Sequence, residues 1–181
     1  MLLIAGQEPR EKKPGRILLT LHSAEIPDLA LIDQNGKTVK FYSDLIKGKV
    51  VIVNGFFTSC NAFCPMQARA LVKLKKRLGD RLGRDVFIVS ISKDPRTDTP
   101  EKLRQWGKEY GVGAGWTLLT GDESDIRKVL RDVTTDDIGT DLHESLVVIG
   151  NDRTGNWTTT DGLQFTERVV KIIDDVASSS K

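Results

Sequence analysis

The 181-residue sequence has few side chains suited to redox or metal chemistry, since it contains only two cysteines, two histidines and two methionines. It lacks any apolar run near the ~20 residues that a membrane-spanning helix needs. Residues 1–5 are too short to form the apolar core of a signal peptide. We therefore expect this chain to be soluble as written, with any anchor or export signal absent from it. A formal net charge of +2 gives no electrostatic reason to predict nucleic acid or membrane contact.

The rest of the composition is typical of one globular domain. Apolar residues make up 39% of the chain and charged residues 29%, and the length suits one well-buried domain better than two. We predict a flexible lead-in at residues 1–16, a single domain at 17–177 and a frayed tail at 178–181. One basic run, which we interpret as a solvated helix face, comprises Lys73, Lys75, Lys76 and Arg77.

Both cysteines, Cys60 and Cys64, lie between an apolar run and a predicted helix. Residues 50–57 are rich in Val, Ile and Phe and predict a buried strand, whereas Pro65 suits the first turn of a helix. The pair therefore lies at a strand-to-helix turn, where free N–H groups and the helix dipole favour a thiolate. We expect this effect to be strongest at Cys64. At this spacing the two residues can reach the ~4.4–6.8 Å Cα separation that a disulfide tolerates, which makes them a candidate redox pair.

The order of predicted elements indicates the fold class. A hairpin comes first, because residues 29–33 and 37–41 flank Asn35-Gly36, a pair suited to a tight turn. Strands and helices then alternate, which favours parallel pairing. We predict strands at 50–57, 85–92, 116–120, 145–149 and 156–159, and helices at 65–78, 100–110, 124–133 and 165–177. This α/β pattern, with a central mixed β-sheet flanked by helices and an N-terminal β-hairpin, predicts a thioredoxin-like fold.

Motifs in a fixed order make the interpretation more specific. A thioredoxin-like opening runs from IPD at 26–28 to GKVV at 48–51. It is followed by Cys60-x-x-x-Cys64-Pro65, by SISKDP and DTPE at 90–101, and by His143 ahead of the GNDRTG segment at 150–155. Together these motifs resemble the Sco/SenC/PrrC family over roughly residues 25–177. On this resemblance, residues 17–177 form a single Sco/SenC domain.

The resemblance implies a copper site formed by Cys60, Cys64 and His143. Two thiolates suit Cu(I), and an added imidazole allows the same site to hold Cu(II). Members of the family are implicated in assembling the binuclear copper centre of cytochrome c oxidase, by delivering copper, by reducing the acceptor's cysteines, or both. The implied partner is therefore the copper-accepting oxidase subunit or another copper or thiol-exchange protein. The implied location is exported, periplasmic or membrane-anchored facing the periplasm.

Several alternatives remain open for the cysteine pair. The first is a dedicated thiol-disulfide oxidoreductase, in which one cysteine attacks a partner's disulfide and the other resolves the intermediate. A peroxiredoxin-like peroxidase ranks third, because the usual Pro-x-x-x-Thr-x-x-Cys context is missing around Thr58. A structural disulfide or two inert core thiols is the simplest alternative. Structural zinc is disfavoured, since closed zinc sites use four ligands and the sequence offers three.

Residues near the motifs also have structural interpretations. His143 can equally be a hydrogen-bonding residue beside a strand, and we assign His22 no role. We interpret Met66 as a packing residue. The aromatic residues expected to shield the cysteines from water are Phe56, Phe57 and Phe63. The residues that we attribute mainly to turn formation and helix capping, with Asp94 expected nearest the site, are Asp94, Pro95, Asp98 and Pro100.

Overall fold

The described residues form one mixed sheet of eight strands with helices packed on both faces. The computed structural model describes residues 18–19, 25–134, 146–161 and 167–178. The strands are β1 (Leu18–Leu19), β2 (Ala30–Asp33), β3 (Thr38–Lys40), β4 (Val50–Phe56), β5 (Val86–Ser92), β6 (Trp116–Thr120), β7 (Leu146–Asn151) and β8 (Asn156–Asp161). Their order across the sheet is β1-β8-β7-β4-β5-β6-β2-β3.

Four α-helices and three shorter helical segments occur in the described ranges. The α-helices are α1 (Phe63–Leu78), α2 (Pro100–Glu109), α3 (Glu123–Val129) and α4 (Glu167–Ser178). The shorter segments are a π-helical turn at Phe41–Ile46, a 3-10 turn at Gly79–Arg81 and a π-helical turn at Leu130–Thr134. No helix among the described residues is both long and apolar enough to cross a membrane.

Strand β4 lies at the centre of the sheet. It pairs in parallel with β5 and antiparallel with β7, and β5 pairs in parallel with β6. Alternate side chains of a strand point to opposite faces, so Val50 and Ile52 join a core cluster with α1, α2 and α4. Val51 and Val53 join a second cluster with α3 and the β2–β3 hairpin. Because both faces of β4 are buried, its sequence is an almost continuous apolar run.

These observations confirm the predicted thioredoxin-like α/β fold with its mixed sheet and hairpin. Strands β2 and β3 pair antiparallel, and Gly36 takes a positive φ of 80° in the turn between them. Thr99 caps α2 as expected, since its side chain accepts the Lys102 N–H at 3.3 Å. Pro100 is the first residue of that helix.

The helical turn Phe41–Ile46 was not predicted from the sequence. There the Asp44 side chain accepts the Lys40 N–H at 2.8 Å, and the Lys47 N–H donates to the Tyr42 carbonyl at 2.8 Å. Both ends of the turn, Phe41 and Ile46, are buried. Six residues are too few to establish a helical period, so local hydrogen bonds and two buried side chains determine this turn.

Some predictions fall outside the described ranges. His143, His22 and the predicted lead-in at residues 1–16 are among them. Ser178, which we assigned to the tail, is the last residue of α4. The proposed domain boundaries stay predictions.

Candidate dithiol site at the start of helix α1

The two cysteines lie between the end of β4 and the first turn of α1. The Cys60 N–H donates to the Phe57 carbonyl at 3.3 Å and closes a turn. Ala62, the residue before α1, makes no side-chain capping hydrogen bond. Instead, the Cys60 Sγ accepts the backbone N–H of Cys64 at 3.3 Å. A cysteine sulfur thus satisfies one of the free N–H groups that begin every helix.

Both thiols are free and they touch each other, but their surroundings differ. Cys64 is 4% exposed and packs in the core beneath α1. Burial raises the pKa of the Cys64 thiol to about 12, and its hydrogen bond to Cys60 adds to this effect. Cys64 therefore keeps its proton at neutral pH.

Cys60 has the opposite shift. Partial burial raises the pKa of its thiol, but hydrogen bonds from the Cys64 thiol and from the N–H groups of Cys64, Ala62 and Phe63 outweigh that effect and lower it. Our expectation that Cys64 would be the more ionised cysteine was therefore wrong. The N–H groups at the start of α1 point at the Cys60 sulfur, while the Cys64 side chain turns into the core. The site has one partly exposed sulfur whose pKa is lowered and one buried sulfur that holds its proton.

A buried lysine lies close to this pair. Lys93, at the end of β5, is 5% exposed, and its backbone N–H donates to the Phe56 carbonyl at 2.7 Å. Its positive charge lowers the pKa of Cys64, against the larger effect of burial. Lys93 therefore provides positive charge for a second thiolate once Cys64 loses its proton.

Asp98 holds the turn that carries Cys60. Its carboxylate is fully buried and accepts the Thr58 N–H at 3.2 Å and the Thr58 hydroxyl at 2.5 Å. It also accepts the Ser92 hydroxyl at 2.6 Å. Thr58 lies two residues before Cys60, so these hydrogen bonds stabilise the turn that carries Cys60. They agree with our interpretation of Asp98 as a structural residue.

A second polar network, which was not predicted from the sequence, fixes the N-terminal part of α1 to the sheet. Asn54 of β4 donates to the Gln67 side chain at 2.9 Å and accepts the Ser90 hydroxyl at 2.7 Å. Ser90 in turn accepts the Trp116 indole N–H at 3.0 Å. All four residues are buried. The sequence did contain a signal for this network, because a polar residue interrupts each of two apolar strands. These residues are Asn54 in β4 and Ser90 in β5.

The exposure of the other predicted site residues agrees with our expectations only in part. Met66 is 52% exposed, so our interpretation of it as a packing residue was wrong. Phe56 is buried, while Phe57 and Phe63 are half-buried. Because His143 is outside the described ranges, its distance from the cysteines stays untested. Within those ranges, no group of three or more His, Cys, Asp or Glu side chains is placed to hold a metal ion.

Comparison with known sequences gives a consistent result. The profile of the SCO1/SenC family matches residues 20–170. A SCO2-like protein of Rickettsia conorii is 31% identical over 129 residues, which cover 71% of this chain and 60% of that protein. The chain spans between 49% and 60% of the length of the first curated relatives that it matches.

Solved structures agree with the sequence comparison. A SCO1/SenC family lipoprotein from Bacillus anthracis superposes with a TM-score of 0.74 at 25% identity, covering 89% of this chain and 98% of that one. Arabidopsis thaliana ScoI with copper bound superposes with a TM-score of 0.63 at 26% identity, covering 81% of this chain and 96% of the other.

Proposed function

This chain belongs to the SCO1/SenC family, and from that premise we propose that it binds and transfers copper through the thiolates of Cys60 and Cys64 and the imidazole of His143. The observation that carries the proposal is the contact between the two thiols at the start of α1. Two adjacent soft sulfur donors suit Cu(I) and need little rearrangement to share one ion. The Arabidopsis relative, ScoI, has been solved with copper bound.

His143 supplies the third ligand in this proposal. The motif order assigns it, since the residue precedes β7 by three positions. A neutral imidazole beside two thiolates gives a mixed nitrogen and sulfur donor set that also accommodates Cu(II). With three protein ligands the ion keeps an open position, through which it passes to another protein by ligand exchange.

The two cysteines have different roles in loading and release. The Cys60 sulfur is partly exposed and its pKa is lowered, whereas Cys64 is buried, so Cys60 meets incoming copper first. Cys64 then gives up its proton as it becomes a ligand, because a thiolate and not a thiol binds the metal. The positive charge of Lys93 offsets the negative charge of the buried Cys64 thiolate. Release follows the reverse order, with Cys60 nearer to the acceptor.

The acceptor that we propose is the binuclear copper centre of cytochrome c oxidase. The motif resemblance of this chain to its family supports that choice. We further propose that the protein is exported, or membrane-anchored facing the periplasm, as expected of a family that includes a Bacillus lipoprotein. The partner is then the copper-accepting oxidase subunit or another protein that exchanges copper or thiols.

A second function, a dedicated thiol-disulfide oxidoreductase, is favoured by the unequal thiols. The Cys60 thiolate attacks a disulfide of the partner, and one partner sulfur leaves as a thiolate. Cys64 loses its proton and attacks the Cys60 sulfur of the mixed disulfide, which releases the second partner sulfur. The partner disulfide is reduced to two thiols, and the Cys60–Cys64 pair is oxidised to a disulfide.

Copper titration of the fully reduced protein tests the first function. We expect one copper per chain, with thiolate-to-Cu(II) absorption that disappears in the Cys60→Ser, Cys64→Ser double variant. His143→Ala weakens binding, whereas the matched control His22→Ala leaves it unchanged. Circular dichroism verifies that each variant is folded.

The same variants separate the two functions. If His143→Ala retains thiol-disulfide exchange at the wild-type rate while losing copper affinity, copper handling requires the histidine and redox chemistry does not. Binding by the wild type no stronger than by the double-cysteine variant would reject copper transfer and leave the oxidoreductase.

A further inference from the structure

Helix α1 presents a row of basic side chains on its outward face. Arg69, Lys73 and Lys76 are exposed and fall at spacings of four and three residues, so they lie along one face of the helix. We call these three residues the basic stripe. The buried residues of α1, which include Cys64 and Leu71, lie on the opposite face. Met66, half-exposed and three residues before Arg69, continues the row toward the cysteines.

The stripe has one sign of charge, unlike the neighbouring helices. Helix α1 carries five basic residues and no acidic one. Helices α2 and α4 pack on the same face of the sheet, yet each mixes basic and acidic residues. With a net charge of only +2 for the whole chain, the residues outside α1 are net negative. Solubility alone does not require this separation of charge, because mixed surfaces are equally soluble.

The three residues of the basic stripe do not form ion pairs within the described part of the protein. Of the five basic residues of α1, Lys75 donates to the Gly111 carbonyl at 2.6 Å and Arg77 pairs with Glu167 at 2.6 Å. The three stripe residues form no ion pair with any described residue. Like charges one helical turn apart repel each other and destabilise the helix slightly. The stripe therefore has an energetic cost that no ion pair among the described residues offsets.

We propose that the basic stripe is the docking surface for an acidic protein partner, which presents its own cysteines to Cys60. This inference rests on the proposed function, since it identifies the kind of partner with which the dithiol site exchanges. From Met66 to Lys76 the row is ~15 Å long at 1.5 Å per residue, a length that one protein surface can contact. The row begins in the first turn of α1, and the Cys60 sulfur hydrogen-bonds to that same turn. A partner held on the stripe is thus next to the reactive thiol.

Charge and size favour a protein over a membrane as the occupant. Recognition of anionic lipids typically uses clusters of four to eight basic residues, and the stripe has three. A partner with carboxylates around its cysteines would neutralise the stripe at short range. It would also be attracted over longer distances, which raises the rate of encounter more than the affinity.

Thiol-disulfide exchange with two synthetic peptides tests the proposal without copper. Both peptides carry the same intramolecular disulfide, flanked by glutamates in one and by lysines in the other. The Cys60 thiolate attacks, Cys64 resolves, and the products are the protein disulfide and the peptide dithiol. At low ionic strength we expect the glutamate peptide to react about tenfold faster than the lysine peptide. We expect this preference to vanish near 1 M salt, where the screening length is ~3 Å.

A pair of charge-reversal variants makes the test specific. In the first, Arg69, Lys73 and Lys76 all become glutamate. In the matched control the exposed residues Lys37, Lys40 and Lys47, from the β2–β3 hairpin and the turn after it, become glutamate. Both variants change the net charge equally. We expect the first to lose or invert the preference for the glutamate peptide and the control to keep most of it.

Three results would overturn the proposal: no preference in the wild type, an unchanged preference in the stripe variant, or equal losses in the two variants, which would indicate a net-charge effect. Stripe-dependent binding to vesicles of phosphatidylcholine and phosphatidylglycerol, without a peptide preference, would identify a membrane surface instead. Copper titration of the stripe variant distinguishes a failure of the docking proposal from a failure of the proposed function. If it binds copper as the wild type does, failure of docking leaves the proposed function intact.

Discussion

Cys60 and Cys64 are four residues apart in the sequence, and the geometry at the start of α1 makes them unequal. The N–H groups of that turn stabilise negative charge on the Cys60 sulfur, while the protein core surrounds Cys64. A pair of this kind has a defined order of reaction. The sulfur that reacts first is the one that reaches solvent.

We predict that the two cysteines differ in their reaction with iodoacetamide as a function of pH. Because the pKa of Cys60 is lowered, its thiolate fraction and its modification rate rise at a lower pH than for an ordinary cysteine. Because the pKa of Cys64 is raised to about 12, it stays protonated and unmodified until strongly alkaline pH. Mass spectrometry of quenched samples measures both rates.

Cys64→Ala provides the control for this prediction. It removes the thiol that donates to Cys60 but keeps the backbone N–H groups, so the pKa of Cys60 moves part of the way back to its ordinary value. Faster modification of Cys64 than of Cys60 at neutral pH in the wild type would contradict the structure.

The error at Cys64 shows what sequence alone could not supply. The sequence placed the pair at a helix start correctly, and a helix start stabilises a thiolate. Which sulfur benefits depends on where the N–H groups point, and that depends on the backbone of Asn61 and Ala62 between β4 and α1. Spacing does not encode such directions. His143 illustrates a different limit, since only motif order connects it to the cysteines.

Replacing Asp98 tests how firmly the Cys60 turn is held. Asp98→Asn keeps the size but removes a buried carboxylate that accepts three donor groups. Hydrogen bonds to charged groups contribute about 1.5–3 kcal/mol each, and the amide can still accept some of these donors, so we expect a loss of about 2 kcal/mol in the free energy of unfolding. Urea denaturation measures it.

Asp33→Asn is the matched control for the Asp98 variant. Asp33 also accepts two backbone N–H groups, those of Asn35 and Lys37, but it lies in the β2–β3 hairpin. We expect Asp33→Asn to leave the iodoacetamide rate of Cys60 unchanged and Asp98→Asn to alter it. Equal rates in both variants would show that Asp98 does not position the Cys60 turn.

Among the secondary-structure elements, α1 is attached to the sheet by a polar connection inside an otherwise apolar core. The N-terminal part of α1 bonds to β4 through Gln67 and Asn54, and β4 connects to β5 and β6 through Ser90 and Trp116. Apolar packing alone allows a helix to slide or rotate, whereas a satisfied buried network specifies one position. The network thus fixes the helix that carries Cys64.

We predict that Gln67→Leu destabilises the protein by about 1–3 kcal/mol, the cost of leaving a buried polar group without its partner. The Asn54 side-chain NH2 group would keep only a long contact of 3.4 Å to the Gly55 carbonyl, while the side-chain oxygen still accepts the Ser90 hydroxyl. Thermal and urea unfolding measure the loss. Gln105→Leu, at an exposed position of α2, is the control and should be nearly neutral.

Elements with a clear apolar pattern were predictable, and turns that depend on individual hydrogen bonds were not. Residues 116–120 were predicted as a strand with the bounds of β6, and the apolar runs of β4 and β5 were within one residue of their observed ends. Helix α1 begins at Phe63 and not at Pro65, because the Cys60 sulfur extends its capping by a contact that residue preferences do not describe. The turn Phe41–Ile46 depends on individual hydrogen bonds and so lacked a sequence period.

In the molecule as a whole, the sheet brings the site together from distant parts of the chain. Parallel β4 and β5 end at the same edge, so the Cys60 turn and the loop with Lys93 and Asp98 meet there. Helix α2 follows that loop, and Trp106 packs against Phe56 with ring centroids 4.6 Å apart. The resemblance predicted these motifs as a set, and the parallel pairing explains why Thr58 and Asp98, 40 residues apart in the sequence, meet at one place.

Copper binding should stabilise the whole fold if the proposed function holds. A ligand that binds only the folded state adds about 2.7 kcal/mol at a free concentration of 100 times Kd. At roughly 2–4 °C per kcal/mol for a protein of this size, we expect the Tm to rise by about 5–10 °C with Cu(I). Differential scanning calorimetry under anaerobic conditions measures the shift. The Cys60→Ser, Cys64→Ser variant should show none.

The hydrogen bond from the Cys64 amide to the Cys60 sulfur also gives the protein a built-in spectroscopic reporter. An amide proton that points at a sulfur has a chemical shift that depends on the charge and bonding of that sulfur. In ¹⁵N-labelled protein, the single resonance of the Cys64 backbone would therefore distinguish the thiol, thiolate, disulfide and metal-bound forms of Cys60. One peak in an NMR spectrum could follow every chemical state of the site, without a label attached to either cysteine.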